Sequence, residues 1–463
     1  MKITFYIGVC ALLCTTACTK ELQLYPETEK VAGNFYRNEA EIEEAVNAAY
    51  AALQKQGVYD LGMLAVGEIP GEDAYDETPA NDGGVYGMLD LYNVIPQSGL
   101  IQDIWQDSYI GIQRANIVLN RIQPIAFAKE ENKNSRIGEM KFVRALLYFN
   151  LVRTYGDVPL VIEEVTNPQD YFGKGRVDKD KVYAQVKTDL TEAIALLPYR
   201  NESNKGRVFK SSAEALLGKV ELTLGNRTAA KALFEEVLKP SAGLQLLDNP
   251  EEVFSLSNEL NKEILFAVQF ASGVNSNSEG TDAYRMFNPT GRVEGKITGT
   301  KGHGVLKGEF YNLYAANDKR KDVYVKRLPS GLAYNNKIAV PSTVVGDSGS
   351  DFVVLRLADI ILLLAEIENE EGDADKAIAY LNRIRERAGI GVYTGAKDKS
   401  AVFQEIDLQR RKELVFEGHR WFDILRTGRS KEVLGITDAN KLLMPVPASQ
   451  IAADGSIKQN PGY

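Results

Sequence analysis

Two stretches of this chain repeat one spacing. In the first, Leu217-Gly218 is followed by Ala230 and Phe234; in the second, Leu364-Ala365 is followed by Ala377 and Leu381, twelve and sixteen positions after the small residue in both. A turn separates the halves each time, at Leu224-Gly225-Asn226-Arg227 and at Glu371-Gly372-Asp373. A small residue lets two helices cross closely while the later apolar residue packs behind it, as in tetratricopeptide units of about 34 residues. The alternative is a pair of unrelated amphipathic hairpins.

The rest of the pattern is helical too. Ile42, Ala45, Val46, Ala49 and Leu53 share one face of a helix over 39–53, and further helices are predicted at about 101–122, 135–155, 178–197, 355–370, 374–388 and 403–427. Two regions interrupt them. Residues 57–99 carry Gly62, Gly67, Pro70, Gly71, Pro79, Gly83, Gly84, Gly87 and Pro96 among Tyr75, Tyr86 and Tyr92, which predicts a long irregular excursion. Residues 240–354 are rich in Gly, Asn, Ser and Asp; Glu263 to Phe270 reads as a strand, and nothing of comparable period follows for roughly 80 residues. The expected fold is therefore mainly α, with helical repeats and a loop-rich irregular half.

Composition narrows the function classes. The 463 residues carry a net charge of −9, so no general basic field exists for nucleic acid. All three cysteines, Cys10, Cys14 and Cys18, fall in the first eighteen residues, which excludes a disulfide framework or a thiolate metal cluster in the body. The start itself, Met1-Lys2, an apolar run from Ile3 to Leu13, then Thr15-Thr16-Ala17-Cys18, suits a cleaved export signal better than a membrane span. It resembles a bacterial lipoprotein signal in which Cys18 is lipidated; a plain signal peptide cleaved near Ala17 is the alternative. The expected organisation is a signal peptide over 1–17, lipidated cysteine and tether over 18–38, and one fold over 39–463, with an N-terminal region to about 240 and a C-terminal region from about 260.

Four motifs, in this order, carry a resemblance. The first is the run Gly138 to Leu160, containing Arg144-Ala145-Leu146-Leu147-Tyr148-Phe149-Asn150-Leu151-Val152-Arg153 and the exit Gly156-Asp157-Val158-Pro159. The second is Arg356-Leu357-Ala358-Asp359-Ile360-Ile361-Leu362-Leu363-Leu364-Ala365-Glu366, the third Arg410 to Arg426 with Phe416-Glu417-Gly418-His419-Arg420-Trp421, and the last Gln459-Asn460-Pro461-Gly462-Tyr463. Together they resemble the SusD/RagB family, the surface nutrient-binding lipoproteins of Bacteroidetes, over essentially everything after the signal peptide. The resemblance implies a SusD-like fold of tetratricopeptide-like repeats, no catalysis, and a lipid anchor in the outer membrane facing the cell exterior. It also implies a SusC-like TonB-dependent transporter as partner, and an oligosaccharide or peptide ligand.

The motif residues themselves read as scaffold. Arg144, Tyr148 and Arg153, and the Glu413, Glu417 and Arg420 set on the expected 403–427 helix, have the spacing of side-chain networks that join helices. Ligand contact is expected instead from loop aromatics beside amides and carboxylates, because a sugar offers an apolar C–H face ringed by hydroxyls. Tyr75, Asp76, Asn81, Tyr86 and Tyr92 supply that mixture, and the resemblance places the family's ligand site partly in this excursion; loop anchoring is the alternative for each tyrosine. Tyr284 and Phe287, among Asn275, Asn277 and Arg285, form a second set. Both tryptophans, Trp105 and Trp421, fall in predicted helices, so stacking relies on Tyr and Phe.

Enzyme readings find little. His303 and His419 are far apart, and no nucleophile turn, phosphate loop or short-range histidine pattern is present. Asp73, Asp76, Glu77 and Asp82 lack a complete calcium-loop spacing and read as a solvated acidic loop, with no cofactor expected. Such acidic loops disfavour sulfated glycans. The open alternatives to glycan capture are peptide binding, a repeat protein without a small ligand, and a glycoside hydrolase.

Overall fold

The computed structural model describes residues 35–276, 278–291, 299–338 and 344–463. The signal segment, Cys18 and Asn277 lie outside the described residues.

The first helix, α1 (Glu39–Ala51), starts where Asn38 accepts a hydrogen bond from the Glu41 amide at 3.0 Å, and it buries Ile42, Ala45, Val46 and Ala49 as the spacing predicts. Next come α2 (Gly62–Glu68), α3 (Gly99–Arg121), α4 (Glu130–Tyr155), α5 (Lys179–Leu196), α6 (Lys210–Thr223) and α7 (Arg227–Val237). The C-terminal third adds α8 (Leu357–Glu371), α9 (Ala374–Arg387), α10 (Lys399–Leu414) and α11 (Arg420–Arg426). Among the described residues no helix is long and apolar enough to cross a membrane.

The repeated spacing is a repeated packing. α6 with α7 and α8 with α9 are helical hairpins, and Ala230, Phe234, Ala365, Ala377 and Leu381 are all fully buried. A Cβ on Gly218 would overlap the ring of Phe234, so the small residue is required by the crossing. Gly372, at φ +92°, ends α8 in the left-handed conformation, and Asp373 then caps α9 through the Lys376 amide at 3.0 Å.

α4 lies at the centre, buried on nearly every face from Gly138 to Tyr155. Arg144 forks from it to Asp189 of α5 at 2.6 and 2.8 Å, to Asn116 of α3 at 2.8 Å and to the Ile162 carbonyl at 2.7 Å. The Tyr148 hydroxyl donates to the Val161 carbonyl at 2.9 Å. Both are joints of the scaffold.

Two expectations need correction. The excursion over 57–99 is not irregular throughout: α2 lies inside it, with every residue from Gly62 to Glu68 buried. Its glycines serve close approach, since a Cβ on Gly67 would run into the backbone of Gly418. The helix expected over 403–427 is two, α10 and α11, broken at residues 415–419 where Phe416 takes φ +59° and Gly418 φ +74°. The Glu68 carboxyl accepts the freed amides of Gly418 at 2.8 Å and His419 at 3.2 Å, so the break is held by α2.

The loop-rich half contains short strands. β1 (Ala74–Tyr75) pairs antiparallel with β3 (Val305–Leu306), which pairs with β5 (Ala333–Asn335) and then β4 (Val325–Arg327); β2 (Ile264–Val268) pairs with β6 (Phe352–Arg356). The strand expected over 263–270 is thus β2. The β1–β3 pair joins the N-terminal excursion to the 240–354 region.

A buried ion cluster locks this region to the C-terminal helices. Arg356 reaches Glu417 at 2.6 Å, Glu413 at 2.7 Å and Glu263 at 3.0 Å; Arg387 also bonds Glu413, Arg320 meets Glu413 at 3.1 Å, and Lys337 meets Glu417 at 2.5 Å. Each charge faces an opposite one, which is the condition for holding ions in a core.

Candidate functional site

The β1–β3 pair brings the two predicted sets of loop aromatics together, and His303 stands at their centre. Its Nδ1 lies 3.0 Å from Asp76 and its Nε2 2.9 Å from Asp82, while its ring stacks on Tyr86 with centroids 4.3 Å apart. Phe287 then meets Tyr86 edge-on at 6.0 Å. Gly302 and Gly304 flank the histidine at φ +80° and +63°, and a Cβ on Gly302 would overlap Thr290. The glycines on either side were the one sequence signal that this histidine needs an unusual turn; its partners are too distant in sequence to be read.

The arrangement corrects part of the expected site. Tyr86 is 2% exposed and Tyr284 and Phe287 are 1% exposed, so none presents a ring to a ligand. They anchor loops, because large rings stabilise only where water is excluded from them. Asp76 is buried too, its carboxylate shared between His303 and the Thr78 amide at 2.8 Å. Tyr92 is half-buried at φ +52°: its hydroxyl donates to the Pro70 carbonyl at 2.8 Å, and its ring lies nearly parallel to Trp421 at 6.2 Å.

The acidic loop is likewise not simply solvated. Asp73 is buried against Arg411, Glu77 accepts from the Thr290 amide at 2.9 Å, and Asp82 pairs with Lys301 at 3.1 Å as well as with His303. The His303 hydrogen bond, ahead of Lys301, holds the Asp82 carboxyl below its usual range. Among the described residues no group of three or more metal-ligating side chains is gathered.

What faces outward is narrower than the sequence suggests. Tyr75 is half-buried on β1, Asn81 and Asp82 are exposed above His303, and the segment after them exposes Leu91 at 61% and Ile95 at 43%. Lys441 ties this segment to the C-terminal tail by donating to the Tyr92 carbonyl at 2.6 Å. These segments offer a half-buried aromatic ring, an exposed amide, a carboxylate and exposed aliphatic groups, braced by His303 and Lys441. Trp105 and Trp421 contribute nothing here, being 3% and 1% exposed.

Known proteins share this framework. The chain is 27% identical to a SusD-like protein of Formosa agariphila, over 89% of this chain and 87% of that one. It is 26% identical to a SusD-like protein of Bacteroides ovatus, over 90% and 81%. Among solved structures, a laminarin binding SusD-like protein superposes with a TM-score of 0.80 at 28% identity, covering 92% of this chain and all of that one. A SusD superfamily protein of Parabacteroides distasonis gives 0.78 at 25% identity, covering 94% and 100%. The model described as "Starch-binding associating with outer membrane" matches residues 37–222 and the model of the SusD family matches residues 307–441, together more than half of the sequence, and the chain belongs to the SusD family.

Proposed function

We propose that this protein captures an oligomeric glycan at the cell surface and passes it to a SusC-like TonB-dependent transporter, without catalysing a reaction on it. Lipidation at Cys18 would hold it in the outer membrane, facing the exterior. The observation that carries this reading is the full-length likeness to a laminarin binding SusD-like protein. The association with the outer membrane in the description of the matching family model supports the location.

The outward face around Tyr75, Asn81 and Tyr92 is the proposed contact surface. It offers what a neutral sugar requires, an aromatic edge for the C–H face and amide and carboxylate groups for the hydroxyls. The carboxylate of Asp82 makes a neutral glucan a better fit than a sulfated one.

Calorimetry on protein lacking residues 1–18, titrated with laminarin oligosaccharides, other neutral, amino-sugar and acidic oligosaccharides, and a mixed peptide pool, tests the proposal. A saturable neutral-glycan signal that falls about tenfold or more when Tyr75→Ala and Asn81→Ala are combined supports it. Binding of peptides alone would replace glycan with peptide as the ligand. Recovery of the full-length protein from membranes without a large β-barrel partner would remove the delivery step.

A further inference from the structure

A cavity lies among the helices α4, α5, α6, α8 and α11. Its volume is about 500 Å³, within the range of small-molecule sites. Val152, Leu222, Leu363 and Leu425 make much of its wall, and Leu224, 38% exposed, stands at the edge.

One cation in this wall is unlike the other arginines of the core. Arg144, Arg320, Arg356, Arg410 and Arg426 each meet a carboxylate. Arg153 meets none within ion-pair distance among the described residues. Its guanidinium is sandwiched between the rings of Phe149 and Phe422, 4.0 Å from each centroid. Nε donates to the Phe149 carbonyl at 3.2 Å and Nη2 to Asn150 Oδ1 at 2.9 Å, leaving Nη1 with no partner among the described residues. With both faces covered, a further partner can approach only along that edge, in the plane of the group. That is how a carboxylate meets a guanidinium.

The neighbouring carboxylates are committed to other cations, and Asp423 acts on Arg153 only at longer range. Lys219 is neutralised by Asp359 at 2.5 Å, with His419 Nδ1 at 3.3 Å; burial lowers His419 to about 3, so the imidazole is uncharged. Asp423 is shared by Arg410 at 2.7 Å and Arg426 at 3.1 Å. At the rim, the exposed Lys179 and Asp180 have opposite signs. Tyr183, whose ring packs on Phe149, has a hydroxyl without a hydrogen-bond partner among the described residues, and it lines the same cavity. Burial pulls Arg153 down to about 10, against the smaller opposing pull of Tyr59, Tyr183 and Asp423, the expected response of a desolvated cation that no carboxylate meets directly.

We propose that this cavity binds a monocarboxylate with an apolar body, its head on the free edge of Arg153 and the Tyr183 hydroxyl and its body against the aliphatic wall. A sugar is a poor occupant, because its hydroxyls would find few uncommitted donors and acceptors here. The cavity lining shares no residue with the proposed glycan surface.

The test is titration of the full chain with phenylacetate and hexanoate, followed by calorimetry and ligand-observed NMR, with 2-phenylethanol, acetate and glucuronate as controls. Phenylacetate should bind saturably and at least about tenfold more tightly than each control. Arg153→Gln should weaken it by a similar factor. Leu224→Trp, which narrows the entrance while leaving Arg153 and its two rings in place, should do the same without changing laminarin-oligosaccharide binding; it carries the test if Arg153→Gln does not fold. No saturable phenylacetate or hexanoate binding below about 10 mM overturns the proposal. Equal binding of the alcohol, tighter binding of glucuronate, or binding unchanged in Leu224→Trp also overturns it.

Discussion

Tyr86 lies nearly flat against His303, ring centroids 4.3 Å apart and planes 25° from parallel. The contact joins the N-terminal excursion to the 240–354 region, and Asp76 and Asp82 fix the imidazole on its two nitrogens. Tyr86 is therefore a fastening, and its hydroxyl has no hydrogen-bond partner among the described residues. Tyr86→Phe should leave both urea stability and glycan affinity unchanged. Tyr86→Ala should cost about 3–5 kcal/mol in the same unfolding experiment. A glycan affinity that falls in the Phe variant would return Tyr86 to the binding surface.

The carboxyl of Glu68 gives the break between α10 and α11 a pH signature. Burial raises it to about 8, although the amides of His419 and Gly418 oppose the shift. The unfolded chain releases this proton near its ordinary value of about 4.5, whereas the folded chain keeps it. Stability is thus full below about 4.5 and falls as pH rises toward 8, because over that window the folded state holds the extra proton. Glu68→Gln keeps an acceptor for the two amides and removes the titration. In urea unfolding at a series of pH values it should match the parent near pH 5 and be more stable by several kcal/mol near pH 9. Parallel curves for the two proteins across that range would refute the assignment.

The repeats were legible because helical spacing survives in the sequence wherever packing needs one small residue and one large one, as at Gly218 and Phe234. The central helix was legible for the same reason, though its first turn begins at Glu130 rather than 135. Glycine misled where it serves contact instead of flexibility: Gly57 and Gly67 read as loop, yet a Cβ on either would collide with backbone from Asp103 or Gly418. The break at 415–419 is held by Glu68 from a distant segment, and Gly418 was its one local mark, outweighed by the apolar residues on either side. At the site, residue type was readable and orientation was not. Asn81 is exposed and Tyr75 half-buried while Tyr86, Tyr284 and Phe287 are buried, and that difference depends on His303 and the β1–β3 pairing.

Glu413 is the shared anion of the buried cluster, meeting Arg356 at 2.7 Å and Arg320 at 3.1 Å and bonding Arg387 as well. Removing it takes a shared counter-charge from three buried cations and leaves Glu417, Glu263 and Asp318 to balance them. Glu413→Gln should destabilise by about 3–5 kcal/mol, with little dependence on salt because the pairs are buried. The surrounding guanidinium groups, Arg387 first, outweigh the burial that opposes them and hold its carboxyl well below the usual range. Its contribution is therefore present above the unfolded value and is lost as pH falls through the folded one. Urea unfolding at low and high salt, and acid titration of the fold, would show both effects. A loss that disappears in high salt would mean the cluster is open to solvent.

The two helical hairpins place a small and a large residue at one spacing, Gly218 and Phe234 in the first, where they touch, and Ala365 and Leu381 in the second, and all four are buried. A larger partner requires a smaller residue opposite. Gly218→Ala should therefore cost about 1–3 kcal/mol through overlap with the Phe234 ring, even though alanine is the better helix former. Phe234→Leu alone should also destabilise, by leaving space beside Gly218. Combined, the two changes give the first hairpin the residue combination the second carries at the same spacing, so the double variant should be more stable than the sum of the single losses allows, by at least about 0.5 kcal/mol. A double-variant cycle measured by urea unfolding would decide it. Strict additivity would mean that the shared spacing does not reflect a shared contact.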